Sequence, residues 1–194
     1  MMGRLEANVY VGLLHSPIYN KRGEKITTTV TNMDLHDIAR AGKTYNIKGY
    51  YVVNPLKSQQ ALIRRMSKYW TSDYGAEYNV NRQEAFSVLK IASSLDEVVK
   101  KIEAETAQKP ILIATDAKPL EHAVSYREIR KSIFNSTRAF LLIFGTGWGL
   151  TEETLALCNY ILEPVYGRGN FNHLSVRSAV SIILDRLLAE EWWA

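Results

Sequence analysis

Ala139-Phe-Leu-Leu-Ile-Phe-Gly-Thr-Gly-Trp-Gly-Leu150 is a short apolar run that ends in three glycines at every second position. A run this short, apolar throughout rather than alternating, suits a strand covered on both faces, and such strands belong to parallel sheets. The glycines follow at its carboxyl end, where open α/β sheets place their ligands. Outward from this run, similar apolar or β-branched stretches recur at Asn8 to Leu13, Gly49 to Val53, Phe86 to Ile91, Pro110 to Thr115 and Tyr160 to Glu163. The segments between them have helical spacing. Ser94-Leu-Asp-Glu97 and Ser125-Tyr-Arg-Glu128 have the spacing of a capping box, in which each end satisfies the other's orphan backbone N–H. Val176, Val180, Ile183, Leu184 and Leu187 form one stripe of an amphipathic helix beginning near Leu174. The alternation predicts one α/β domain over residues 1–194, with a six-stranded, mostly parallel sheet and crossover helices.

Composition agrees with a self-sufficient core. The chain has 194 residues, 46% hydrophobic and 23% charged, and at this length folding removes roughly 70% of the unfolded surface from water. A single cysteine, Cys158, makes no intramolecular disulfide, and the N-terminus does not read as a signal peptide, so a reducing cytoplasm is expected. No apolar run approaches the ~20 residues of a membrane span. The net charge is +4, but it is split: residues 1–70 carry 11 Lys and Arg against 4 Asp and Glu, whereas the remainder carries 13 against 16. This imbalance is either a solvated surface or a basic face suited to a polyphosphate backbone. Two long loops are expected, His15 to Thr31 and Thr71 to Arg82. The first holds Lys21, Arg22 and Lys25 near Tyr19, the makings of a backbone grip with a stacking ring, or of a plain solvated loop.

The residue inventory removes several chemistries. There is no Gly-x-Ser-x-Gly elbow, no His-Glu-x-x-His, no Cys-x-x-Cys and no Gly-x-x-x-x-Gly-Lys-Ser/Thr. The four histidines have no ligand-like spacing, and no metal site is expected. Cys158 falls on an amphipathic helical turn, where a buried thiol is more common than a nucleophile. The loop Gly145 to Gly149 holds no Lys or Arg, and Glu152 and Glu153 open the next helix, so it is wrong for phosphate. It is either a tight turn needing positive φ or a backbone-lined seat for an uncharged or cationic ligand. A second glycine-bearing loop, Glu163 to Arg177, leads into the last helix, with Asn172 or His173 as its expected cap and Ser175 in its first turn.

Taken in order, Thr31-Asn-Met-Asp-Leu-His-Asp-Ile-Ala-Arg40, Gly49 to Pro55, Ile113-Ala-Thr-Asp116, Phe144-Gly-Thr-Gly-Trp-Gly-Leu150, Ile161-Leu-Glu-Pro164 and Asn172-His-Leu-Ser-Val-Arg177 resemble the SPOUT class of S-adenosylmethionine-dependent RNA methyltransferases. The likeness is to the bacterial branch found alone or fused to a tRNA guanine-N1 methyltransferase, and it covers about Asn8 to Glu190. It implies a Rossmann-like α/β sheet with helices on both faces and a C-terminal trefoil knot. It also implies bound S-adenosylmethionine held at Thr115, at Gly145, Thr146, Gly147 and Gly149, at Ile161, Leu162 and Pro164, and at Leu174 and Ser175. Arg40, Asp34 and Ser175 are the implied catalytic residues, with His173 a further proton relay. The expected partner is a structured RNA, tRNA or rRNA, and the expected assembly a homodimer through the knot region and last helix, including Trp192 and Trp193. Two positions depart from the pattern of the ribose-methylating branch. An Asn usually six residues before Arg40 is Asp34, and the usual Ser-Leu-Asn-Val-Ser is His173-Leu-Ser-Val-Arg177. These changes leave base against ribose methylation open, and a non-catalytic RNA-binding module is the alternative reading.

Overall fold

The computed structural model describes residues 7–72 and 74–190. In chain order its elements are β1 (Asn8–Leu14), β2 (Ile18–Tyr19), β3 (Lys25–Ile26), α1 (Asn32–Thr44), β4 (Gly49–Val53), α2 (Lys57–Thr71), α3 (Tyr74–Tyr78), α4 (Val80–Phe86), β5 (Leu89–Ala92), α5 (Leu95–Thr106), β6 (Ile111–Thr115), α6 (Tyr126–Phe134), β7 (Ala139–Gly145), α7 (Glu152–Ala156), β8 (Tyr160–Leu162) and α8 (Val176–Leu188). The main sheet has the strand order β5-β4-β1-β7-β6-β8 and is parallel throughout. From β1 the chain builds outward to β4 and β5, then returns to lay β6, β7 and β8 on the other side. The order therefore reverses between β1 and β7, the point where α/β sheets open a crevice.

The apolar runs have the predicted cause. Val9, Val11, Leu13, Phe140, Leu142 and Phe144 face a layer formed by α1, α2, α4, α6 and α8, and Tyr10, Leu14, Leu141 and Ile143 face α5 with Ile18 and Leu150. Both faces are covered, unequally. Ser125 and Glu128 form the complete capping box of α6. At α5, Ser94 accepts from the Glu97 N–H, but the Glu97 carboxylate turns instead to the N–H and hydroxyl of Ser93.

Three expectations are corrected. Phe86 does not begin a strand: Asn79 caps α4 through the Arg82 N–H, and Phe86 ends that helix with its ring in the core, so β5 starts at Leu89. Thr71 to Arg82 is not a loop, since α3 and the first residues of α4 fill much of it, helices too short for a periodicity to show. Ser175, not Asn172 or His173, caps α8, accepting from the Ser178 N–H.

The stripe on α8 also has a different partner from the one expected. Val180, Ile183, Leu184 and Leu187 are buried in this chain's own core, against α1 and α6. Tyr45 donates to Asp185 at 2.9 Å, and the Arg130 guanidinium donates to the carbonyls of Arg186 and Ala189 at 3.4 and 2.6 Å. Trp192 and Trp193 lie outside the described residues.

Candidate functional site

A cleft of about 700 Å³ opens at the carboxyl ends of the strands. Four stretches line it. They are His15, Thr28, Thr29, Thr31 and Asp34 after β1; Thr115–Lys118 after β6; Phe144–Gly149 at the end of β7; and Val165 with Asn172–Val176 after β8, backed by Ala179 and Ile183 of α8. The two glycine-bearing loops do share one crevice.

The glycine loop is a tight turn with positive φ, and it lines the cleft. Gly147 and Gly149 have φ of +59° and +103°, which L side chains rarely adopt. A Cβ on Gly147 would lie 2.9 Å from Ile18 Cδ1 and 3.0 Å from the Tyr19 carbonyl. That close approach exists because β2 is laced to the loop: Trp148 N–H donates to Tyr19 O (2.9 Å), and Tyr19 N–H to Gly149 O (3.1 Å). The basic loop after β1 is thus a wall of the cleft, folded over a β2–β3 hairpin, rather than a free arm. Lys25 is held at 2.6 Å by Glu153, one of the acids that make the α7 N-terminus unsuited to phosphate.

Of the residues singled out from sequence, Asp34, Thr115, Gly145, Thr146, Gly147, Gly149, Leu174 and Ser175 all meet in this cleft, and so does His173. Ile161, Leu162 and Pro164 are not among its lining residues, and Val165 is the one from that stretch that reaches it. Arg40 sits on the exposed side of α1, six residues and about 9 Å of helix rise beyond Asp34, and does not line the cleft. Cys158 is half-buried, and burial pushes its thiol up to about 11, which suits a structural thiol. Among the described residues no three His, Cys, Asp or Glu side chains gather as metal ligands would. Nor is any helix there long and apolar enough to cross a membrane.

The two departures from the family pattern prove to be neighbours. Arg177 Nε lies 4.0 Å from Asp34 Oδ1 and 3.7 Å from Asp37 Oδ2, joining α1 to α8 across the cleft. Asp34 is 8% exposed, and its carboxylate also accepts from the Thr31 hydroxyl at 2.6 Å. An acid this buried needs a compensating charge, so Asp34 and Arg177 read as one coupled change.

His15 is a cleft residue that the mutual spacing of the four histidines does not reveal. It follows β1 as the glycine loop follows β7, so the carboxyl-end rule that found one applied equally to the other. His15 is 1% exposed, and burial lowers its imidazole to about 4 despite the opposing pull of Asp34. The folded value lies below the ordinary 6.5, so the unfolded chain binds the extra proton first. The stability contribution is therefore complete above pH 6.5 and lost as pH falls towards 4, about 3 kcal/mol in all. Denaturant titrations of His15→Asn and the parent should show the parent losing the larger share of its stability between pH 6.5 and 4.

Comparison with known proteins covers nearly the whole chain. Residues 8–189 match the model of a family described as SAM-dependent RNA methyltransferase. An uncharacterized protein of Aquifex aeolicus (strain VF5) is 44% identical over 185 residues, 95% of this chain and 90% of that one. A tRNA (guanine-N(1)-)-methyltransferase of Oleidesulfovibrio alaskensis is 34% identical over 183 residues, 94% of this chain but 42% of the relative, so this chain spans less than half that relative's length. Among solved structures, the SpoU methyltransferase AviRb from Streptomyces viridochromogenes, in complex with AdoMet, has a TM-score of 0.56 at 20% identity, covering 96% of this chain and 58% of that one. From the first residue of β1 to the residue after α8, sequence and fold agree: the chain belongs to the SAM-dependent RNA methyltransferase family, with the SPOUT-class α/β fold.

Proposed function

We propose that this cleft holds S-adenosylmethionine, the family's cofactor, and that the protein uses it to methylate a structured RNA, a tRNA or an rRNA, on a base or a ribose 2'-hydroxyl. The observation that carries the reading is the convergence of four carboxyl-end loops on one cleft whose glycine segment offers backbone groups and no cation. The residues fit that cofactor. Gly145, Gly147 and Gly149 leave the main chain open to contact, Phe144, Val165, Leu174 and Ile183 supply an apolar wall for a purine, and Asp116 stands close to Gly149 as a counter-charge for a cationic group. When bound, S-adenosylmethionine supplies an electrophilic methyl group on a sulfonium. Ile161, Leu162 and Pro164, the stretch that leads into Val165, are assigned to positioning it rather than to touching the cofactor.

Asp34 and Ser175 are assigned to orienting the methyl acceptor. Their local bonds, Thr31 to Asp34 and the Ser178 N–H to Ser175, hold both side chains in one rotamer. Arg40 is assigned to the RNA, because it lies outside the cleft. It would join α2, whose exposed Lys57, Arg64, Arg65 and Lys68 face solvent with no acid on that helix, and the stacked, exposed rings of Tyr74 and Tyr78, 6.2 Å apart. A trefoil knot is supported by the way the chain returns after β8: Asn172 donates to the Ala117 carbonyl at 2.7 Å, and α8 then packs on α1 and α6. Exposed Trp148, Phe171 and Leu174 at the cleft mouth favour a homodimer through that region, now without the α8 stripe. The single cysteine fits a reducing cytoplasm.

The test is thermal unfolding with S-adenosylmethionine, with ATP and NAD as controls. At about 100 times its dissociation constant the cofactor should add roughly 2.7 kcal/mol, a rise of several degrees, which the controls do not give. Labelled methyl should then pass to RNA. A folded protein that shows no shift at millimolar cofactor would favour the non-catalytic RNA-binding module instead.

A further inference from the structure

A chain of hydroxyls beside the cleft fixes the protonation of His15. The Thr146 hydroxyl lies 3.0 Å from the Leu14 carbonyl, which only accepts, so Thr146 is the donor there. The Thr28 hydroxyl, 2.7 Å from that of Thr146, must then donate to it. Having given its proton, Thr28 can only accept from His15 Nδ1, 3.0 Å away. The ring therefore carries its proton on Nδ1, and Nε2 is a bare lone pair. That nitrogen is buried and has no hydrogen-bond partner among the described residues, on a side chain that is itself 99% buried and lines the cleft. The ring is also fixed at its base, where His15 N–H donates to Val53 O at 2.9 Å and His15 O accepts from Thr28 N–H at 2.8 Å. An orphaned buried acceptor costs stability unless something supplies a donor, so its persistence beside a ligand cleft points to function.

We propose that Nε2 of His15 is the proton acceptor of the reaction: it receives a hydrogen bond from the hydroxyl or ring N–H of the RNA nucleotide to be methylated, and takes that proton as the methyl group arrives. This rests on the methyltransferase reading above. The step balances. The acceptor's O–H or N–H bond breaks towards Nε2, its electron pair forms the new bond to the methyl carbon, the carbon–sulfur pair stays on sulfur as a neutral thioether, and the imidazolium returns its proton to solvent. Thr28 and Thr146 are positioning residues, since they set the tautomer through Nδ1 without touching the acceptor. The charged group that acts on the ring is Asp34 of α1, while the loop after β1 and the glycine loop present the hydroxyls of Thr28 and Thr146. Asp34 is placed to stabilise the imidazolium formed in the step.

Two measurements separate this proposal from the one it rests on. In the ligand-free protein at pH 7, the imidazole ¹⁵N spectrum should show His15 neutral with Nδ1 protonated. A proton on Nε2, or an imidazolium, overturns the proposal whatever the activity. Thr28→Val should mix the two tautomers in the same spectrum. In the second measurement, His15→Gln should bind S-adenosylmethionine within about twofold of the parent by calorimetry yet transfer methyl to RNA at least ~100-fold more slowly, the lower end of what a positioned base contributes. Transfer at the parent's rate overturns the proposal. A folded parent that binds no cofactor defeats the methyltransferase reading instead, and the nitrogen spectrum still decides the tautomer. A 2'-deoxy substitution at the modified nucleotide distinguishes the proton's source: abolished transfer assigns it to the ribose, and retained transfer to the base.

Discussion

Gly147→Val is expected to reduce S-adenosylmethionine affinity by at least ~100-fold, or about 2.7 kcal/mol, measured by calorimetry on folded protein. A β-branched residue at φ +59° costs about 1–3 kcal/mol in backbone strain alone. Its Cβ would also press on Ile18 Cδ1 at 2.9 Å and on the Tyr19 carbonyl at 3.0 Å. That carbonyl accepts from Trp148 N–H, so relief by moving β2 breaks the lacing that shapes the loop. Gly167→Ala is the matched control. Gly167 lies in the other glycine-bearing loop, where an added Cβ meets nothing within 4 Å among the described residues, and that variant should bind as the parent does. Equal affinity for Gly147→Val and the parent would remove the glycine loop from the cofactor site.

Phe144→Ala is expected to produce the largest loss of stability, about 3–5 kcal/mol, from lost transfer energy and an unfilled cavity. Phe144 is 2% exposed near the carboxyl end of β7, which is paired on both sides, by β1 and β6, so the backbone has little freedom to collapse into the gap. At about 2–4 °C per kcal/mol for a chain of this size, the melting temperature should fall on the order of 10 °C. Phe144 also lines the cleft. The cofactor-induced shift should therefore shrink in the same variant, and an undiminished shift would show that the ring supports the core without touching the ligand.

Where the chain could be read correctly, the signal was local. The apolar runs of β1, β4 and β7 are buried on both faces, and that double burial is written in every residue of the run. The Ser125 box and the absence of cations around Gly145 to Gly149 are likewise properties of a few consecutive residues. The failures share the opposite property. Phe86 is apolar because it ends a helix against the core, and α3 and α4 complete too few turns to display a period. The α8 stripe announced burial, but the burying surface is α1 and α6 of the same chain, and no spacing within the helix distinguishes that from a second subunit.

The residues alone established a parallel α/β sheet, a glycine loop after its most apolar strand, the absence of cations from that loop, and the likeness to one methyltransferase class. Only the tertiary structure joined Asp34 to Arg177, 143 positions apart in the chain, and put the proton of His15 on Nδ1 by committing Nδ1 to Thr28 and Thr28 to Thr146, leaving Nε2 an acceptor without a partner among the described residues. The physical reason is one of range. Burial periodicity and turn chemistry act between neighbours along the chain, whereas the charge on a buried acid and the tautomer of a buried imidazole are set by whichever groups the strand order brings alongside.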